Sequence, residues 1–503
     1  MKKSIKLIAP LAAVLLLAGC GGKPTPNPDN PDKPDVPDVP IEPSGDYFVQ
    51  EDTTIILSTT AGKESQVALN RYIDSFKKIE PKVTVKLDVI GGSYSDAAKQ
   101  TIDGFAAGKH GDMVMVYPDA VADFIDYGFA YNLEPYMTNE KYGWTEEDFK
   151  DIKPAFLKEG QTYTIPGTYS LPMSKSTEMM FYDAEKFLGI TFEGVNGGQP
   201  VDKNYMNNLT WEELFDNLCP AIIKYADAHP GYLDKTAHEK GWGILGYDSD
   251  PNLFITLAQQ YGYEYTGIEN GKGIIKFNND GMKGLIKKFA GYAQDHYIMT
   301  AGSINERPNN IFTKDGCLLS IGSTGGIKYQ YSDANPKKLE VAPIPTKEGG
   351  EKSVIMQGPS MAFLKHKDAS NKPDKNRMLA SWLFYKHMTN VENALDWALS
   401  ANYMPIRQSG YDSDIYKEIS DPSTVENPKS FDALIARVNK LLPSLADGYY
   451  SSPAFKGSNA ARDNVDKLVS AAFKIDPTKN EEQRNAEIDK LFKKAYEDTL
   501  LKC

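Results

Sequence analysis

"DMVMVYPDAVADFIDYG" spans Asp112 to Gly128. Its reading decides the fold. Met113 to Val116 are four apolar residues in a row, the pattern of a strand covered on both faces, as in a parallel sheet. "DAVADFIDYG" then reads as a short helix that ends at Gly128. Upstream, "TTIILS" (Thr53–Ser58) is rich in β-branched residues. After it, Leu69, Tyr72, Ile73 and Phe76 fall at i, i+3, i+4 and i+7, one face of a helix. "VTVKLDVI" (Val83–Ile90) alternates apolar and polar side chains as a strand does. "SDAAKQTIDGFAAG" has helical character and leads back to Asp112. The order β-α-β-α-β predicts an α/β fold, a parallel sheet with helices on both faces.

The chain begins differently. Lys2, Lys3 and Lys6 precede a mostly apolar run from Leu7 to Ala18. This has the charged start and short apolar core of a secretory signal over 1–19. The run is shorter than the ~20 residues of a permanent membrane span. "LAGC" (Leu17–Cys20) resembles the lipobox of bacterial lipoproteins, which implies cleavage before Cys20 and acylation of its thiol. Residues 21–46 carry eight prolines, six acids and two lysines. Proline blocks helix and sheet, and so few apolar side chains cannot offset ordering entropy. Residues 20–46 therefore read as a lipidated cysteine and an extended tether, with a reach of roughly 80 Å at ~3.1 Å per residue. Gly21, after the cysteine, points to the outer face of a cytoplasmic membrane in a single-membrane cell.

Residues 47–503 are long enough for two or three lobes. Hydrophobic residues make up 41% of the chain and charged residues 25%, as in globular proteins. The formal charge is −12, or −15 without the three leader lysines, and no basic block appears, which argues against nucleic acid as a partner. Cys219, Cys317 and Cys503 are too scattered for a disulfide framework or a zinc site. The sequence has no H-E-x-x-H, nucleophile elbow, P-loop or EF-hand, and no cofactor is expected. A glycoside hydrolase remains a competing class, because two carboxylates suffice for that chemistry. A surface adhesin is a third.

Three places stand out as candidate sites. "GSTGG" (Gly322–Gly326) follows a buried strand and offers amides and hydroxyls to a ligand oxygen. Its Ser323 reads equally as a helix N-cap. Tyr117 and Asp119 end a parallel strand, where α/β sheets hold ligands, although Asp119 also suits a cap. Trp242, Tyr247 and Asp248 combine ring platforms with an acceptor, against the alternative that Trp242 is a core residue. The 29 tyrosines and 5 tryptophans suit polar rings such as sugars.

In order along the chain, "GDMVMVYPDAVADFIDYG", "LPMSKSTEMMFYDAEKF", "GCLLSIGSTGGIKY", "IMQGPSMAFL" and "NYMPIRQSGYD" resemble the extracellular solute-binding protein family 1. These are the substrate-capturing lipoproteins of ABC importers, relatives of maltose- and glycerol-3-phosphate-binding proteins. The resemblance implies a two-lobed periplasmic-binding-protein-like fold of type II, with a ligand cleft between lobes joined by crossover strands. It places lobe one at 47–175 with 357–403 and lobe two at 176–356 with 404–503. Crossings are implied near Ser174–Glu178, Ser353–Gly358 and Tyr403–Arg407. The implied ligand-binding residues are Tyr94, Tyr117, Asp119, Ser176, Tyr247, Ser323, Thr324, Gly325, Gly358 and Tyr403. The implied partners are a sugar or oligosaccharide, the ABC permease subunits and the membrane, the last through the lipid anchor. The protein is implied to be a monomer without enzymatic activity. Glycerol-3-phosphate or a related phosphodiester is the alternative ligand. Against it, Tyr450 stands where the phosphate binders carry an arginine, so one bidentate phosphate contact is missing.

Overall fold

Thr53–Thr59 (β1) lies between Val83–Val89 (β2) and Met113–Val116 (β3), parallel to both. All four residues of β3 are buried, because helices cover the sheet on each side. On one side Met113 and Met115 join Leu57, the helix Lys63–Ile79 (α1) and Trp382 and Phe384 of the helix Lys375–Met388. On the other, Val114 and Val116 meet Phe105 of the helix Tyr94–Phe105 (α2) and Val121 and Phe124 of the helix Pro118–Asp126 (α3). The computed structural model describes residues 47–503 other than Glu351 and Ala369, and only the backbone of Lys235 and Glu239. The signal segment, Cys20 and the proline-rich stretch lie outside the described residues.

The chain completes the first sheet with Ser170–Pro172 (β4), then passes into a second sheet through Ser176–Asp183 (β5). This larger sheet contains Leu245–Tyr247 (β6), Ile298–Thr300, Leu319–Ser323, Leu339–Ala342, Val354–Gln357 and Tyr449–Tyr450. Its helices include Asp250–Tyr261, Asp280–Gln294, Ser458–Phe473 and Glu481–Leu500. Val465, Leu468, Phe473, Ile488 and Phe492 are buried in its core. Thr210 Oγ1 accepts from the Glu213 amide at 3.0 Å, and the Glu213 carboxylate accepts from Tyr205 and Asn217. The strand Ser360–Phe363 returns to the first sheet, antiparallel to β3 and β4. The architecture is the two-lobed α/β fold, with one sheet at the heart of each lobe.

Three chain segments pass between the lobes side by side. Met356 and Gln357 pair with Thr177 and Ser176, and the Ser174 amide donates to Pro359 O at 3.1 Å. Lys175 forms an antiparallel bridge with Met404, whose amide donates to Lys175 O at 2.7 Å. The contact is so close that a Cβ on Gly358, at φ +94°, would sit 1.8 Å from Ser174 O, so only glycine fits. At the centre, the fully buried Lys175 ammonium donates to Glu159 Oε2, to Ser360 Oγ at 2.8 Å and to Gly358 O at 3.2 Å. Ser360 Oγ donates in turn to Glu159 at 2.8 Å.

Arg407 is engaged by protein groups. It is buried, paired with Asp148 and Asp151, and donates to Thr389 O. Cys219, Cys317 and Cys503 are free thiols. Among the described residues no helix is long and apolar enough to cross a membrane.

Removing one partner of a buried ion pair strands the other charge in low dielectric, at a cost of about 3–5 kcal/mol. Lys175→Met is expected to lower the denaturant midpoint accordingly. Adding Glu159→Leu should recover more than half of that loss, which equilibrium unfolding of the single and double variants measures.

Candidate functional site in the interlobe cleft

The end of β3, the end of β6 and the end of Leu319–Ser323 open onto one cavity of about 540 Å³ between the lobes. From the first lobe comes Tyr117, 38% exposed, held at the N-terminus of α3 by the strand-to-helix turn. From the second come Asp248, Asn252, Arg307, Asn309, Ser323, Tyr329 and Arg462, and Glu178 and Gln357 border the crossings.

Asp248 follows β6 directly. Its carboxylate accepts from the Asn309 amide at 3.3 Å and from Gln330 Nε2 at 3.2 Å. Gly322 makes room for it, since a Cβ there would lie 2.6 Å from Asp248 Oδ2. Burial pushes this carboxyl up to about 6, against the pull of Asn309, Arg307 and Gln330. Glu178 points inward from β5, buried. It accepts from Tyr247 Oη at 2.5 Å, Asn252 Nδ2 at 2.8 Å and Gln357 Nε2 at 3.2 Å. Loss of solvent raises it to about 7 despite those bonds. Asn252 passes the constraint on, because its Oδ1 accepts from the Arg462 guanidinium. Asn309, 7% exposed, has a side-chain Oδ1 with no hydrogen-bond partner among the described residues.

The residues singled out from sequence divide into groups. Tyr117 and Ser323 wall the cavity. Ser323 both caps the following 3-10 turn, accepting from the Gly325 amide at 3.3 Å, and reaches Ser176 Oγ at 3.2 Å. Tyr94 meets Tyr117 edge to face with ring centroids 5.3 Å apart, and its hydroxyl lies 3.3 Å from that of Tyr403. Gly325 permits this packing, for a Cβ there would stand 3.0 Å from the Tyr403 ring. Gly358 lies beneath, in the crossings. Asp119 does not cap α3; it lines a narrow side pocket and accepts from Ser458 Oγ at 2.5 Å.

Two assignments need correction. Tyr247 offers no platform: its ring is wholly buried, and only its hydroxyl acts at the site, by holding Glu178. Thr324 turns away from the cavity. It is bound to the Thr177 amide at 3.2 Å and faces a separate, more apolar pocket of about 410 Å³ that Tyr403 also lines. Trp242 is half-buried against the Gly316 backbone. Sequence reasoning missed Glu178, Asn252, Arg307, Asn309, Gln357 and Arg462. Only Glu178 left a trace, as a lone charge in the apolar strand "STEMMFYD".

A pair of α/β lobes with a polar cavity between them is the architecture of a solute-binding protein. The profile of the bacterial extracellular solute-binding protein family matches residues 71–455, and the chain belongs to that family. It is 21% identical to the sn-glycerol-3-phosphate-binding periplasmic protein UgpB of Yersinia enterocolitica over 371 residues, 69% of this chain and 73% of that protein. Among solved structures, the sugar-binding protein MalE of Xanthomonas citri aligns with a TM-score of 0.63 at 13% identity, over 89% of this chain and 99% of that one. UgpB of Mycobacterium tuberculosis, in complex with glycerophosphocholine, aligns at 0.61 and 16% identity, over 89% and 99%.

Glu178 makes the site sensitive to pH. Its folded value of about 7 exceeds the ordinary 4.5, so the folded protein keeps a proton that the unfolded chain releases. The stability this contributes is complete below pH 4.5 and disappears as pH rises through 7. Tyr247→Phe removes a donor to the carboxylate. The protonated-carboxyl infrared band of Glu178 should then persist to higher pH than in the wild type.

Proposed function

We propose that this protein captures a sugar or oligosaccharide by closing its two lobes around it, and delivers it to the permease of an ABC importer. One lobe is formed by 47–175 with 357–403, the other by 176–356 with 404–503. The observation that carries the reading is the cavity itself, where Tyr117 and Tyr329 lend exposed aromatic faces to a wall of carboxamides, carboxylates and hydroxyls. Aromatic faces pack on the apolar side of a pyranose. Planar polar groups match its hydroxyls, and the unsatisfied Asn309 Oδ1 awaits a donor that a hydroxyl supplies. A ligand that touches both lobes favours the closed form by its differential affinity.

The same reading gives ligand contacts to Tyr117 and Ser323, and a supporting role to Tyr94, Ser176, Gly325, Gly358 and Tyr403. Capture of this kind breaks no bond and needs no cofactor. A monomer anchored through Cys20 on the outer face of the cytoplasmic membrane keeps the closed form near its permease, because the tether raises effective concentration.

Two measurements check this. Tyr117→Ala is expected to weaken saccharide binding about tenfold in calorimetry, in line with the value of one aromatic contact, with an unchanged melting temperature. Cys20→Ala is expected to move the protein from the detergent to the aqueous phase of a membrane extract. A variant still in the detergent phase would rule out the lipid anchor.

A further inference from the structure

The two lobes also meet away from the crossings, along the segment Ser451–Ser458. Within it, adjacent residues are anchored in different cores. Ala454 is buried in the first lobe, in the cluster that holds Val116, Phe124 and Tyr163, and its amide donates to Thr162 O at 3.1 Å. Phe455 is buried in the second lobe. It lies against the hairpin of Thr266–Glu269 and Lys272–Ile275, where a Cβ on Gly273 would stand 1.9 Å from its ring. The turn of that hairpin reaches the first lobe too, since a Cβ on Gly271 would be 3.4 Å from Thr164 O.

Two polar pairs join the lobes beside these anchors, both to α3. Ser458 Oγ, on a residue 5% exposed, donates to Asp119 Oδ1 at 2.5 Å. The Lys456 ammonium lies 3.4 Å from Asp126 Oδ2, with both side chains exposed. The first is a sheltered, charge-assisted bond and the second a weak surface pair. Next to them is a polar pocket of about 50 Å³, lined by Asp119 and Glu159 from the first lobe and by Tyr265, Ser452 and Arg462 from the second. The Tyr265 hydroxyl has no hydrogen-bond partner among the described residues. This seam is polar and loosely filled, the character of an interface that can part. The crossings are instead bound by strand pairing.

We propose that the seam is an interlobe latch. Asp119 and Ser458, helped by Asp126 and Lys456, hold the lobes together before a ligand arrives. They thereby set the affinity of capture without touching the ligand, because a latch that favours the closed form removes part of the cost of closing. The inference rests on the reading of the molecule as two lobes that close on a ligand. It makes Asp119 a positioning residue.

The test is single-molecule energy transfer on the ligand-free full-length chain. Dyes sit at Lys99→Cys and Lys328→Cys, in a Cys20→Ala, Cys503→Ser background. Asp119→Ala and Ser458→Ala should each raise the ratio of open to closed molecules about tenfold, the worth of one hydrogen bond to a charged group. The double variant should do no more than either single, because the two side chains share one bond. Lys456→Ala, an exposed change that leaves the fold intact, should raise the ratio about twofold, and high salt should erase that difference. Distance distributions that match the wild type in all these variants overturn the latch. So does a lower melting temperature with an unmoved distance, which assigns the seam to fold stability alone. No ligand is present, so either negative result leaves saccharide capture standing; calorimetry on the unmodified protein tests that separately.

Discussion

Everything in this molecule turns on the place where three segments cross between the lobes. They are bound into a ribbon by β-type pairing and held at the centre by a buried ammonium shared among Glu159, Ser360 and Gly358. A lone crossing would let the lobes drift in all directions. Three crossings, paired antiparallel and packed so tightly that Gly358 tolerates no side chain, tie the lobes together side by side.

The cavity follows from that arrangement. Tyr117 and Asp248, the first residues after β3 and β6, and Ser323, the last residue of Leu319–Ser323, line one cavity. Below them Glu178 is fixed by Tyr247 and transmits its position through Asn252 to Arg462. A chain of hydrogen bonds thus links the buried sheet to a side chain that lines the cavity. That preorganisation lets a polar site bind without first paying to order itself.

How much of this was legible in the sequence depends on the distance over which each signal acts. Met113–Val116 and the helix after it were readable because burial on both faces leaves an unbroken apolar run. Tyr117 and Ser323 were readable because a strand end is a local feature. Thr324 was misplaced for a local reason too: on a 3-10 turn of three residues, a neighbour points a third of a circle away. Tyr247 was misread because an aromatic between glycine and aspartate resembles an exposed platform, whereas the whole strand Leu245–Tyr247 is buried on both faces. Arg307 and Arg462 lie 155 positions apart in unremarkable polar surroundings, and only the tertiary fold unites them.

The central claim is that the lobes move together on a ligand. Spin labels at Lys99→Cys on α2 and Lys328→Cys beside the cavity, in a Cys503→Ser background that removes the exposed native thiol, report the interlobe distance directly. The account predicts a broad distance distribution that shortens and narrows when a ligand proven to bind by calorimetry is added. A distribution that stays the same with that ligand bound would contradict it.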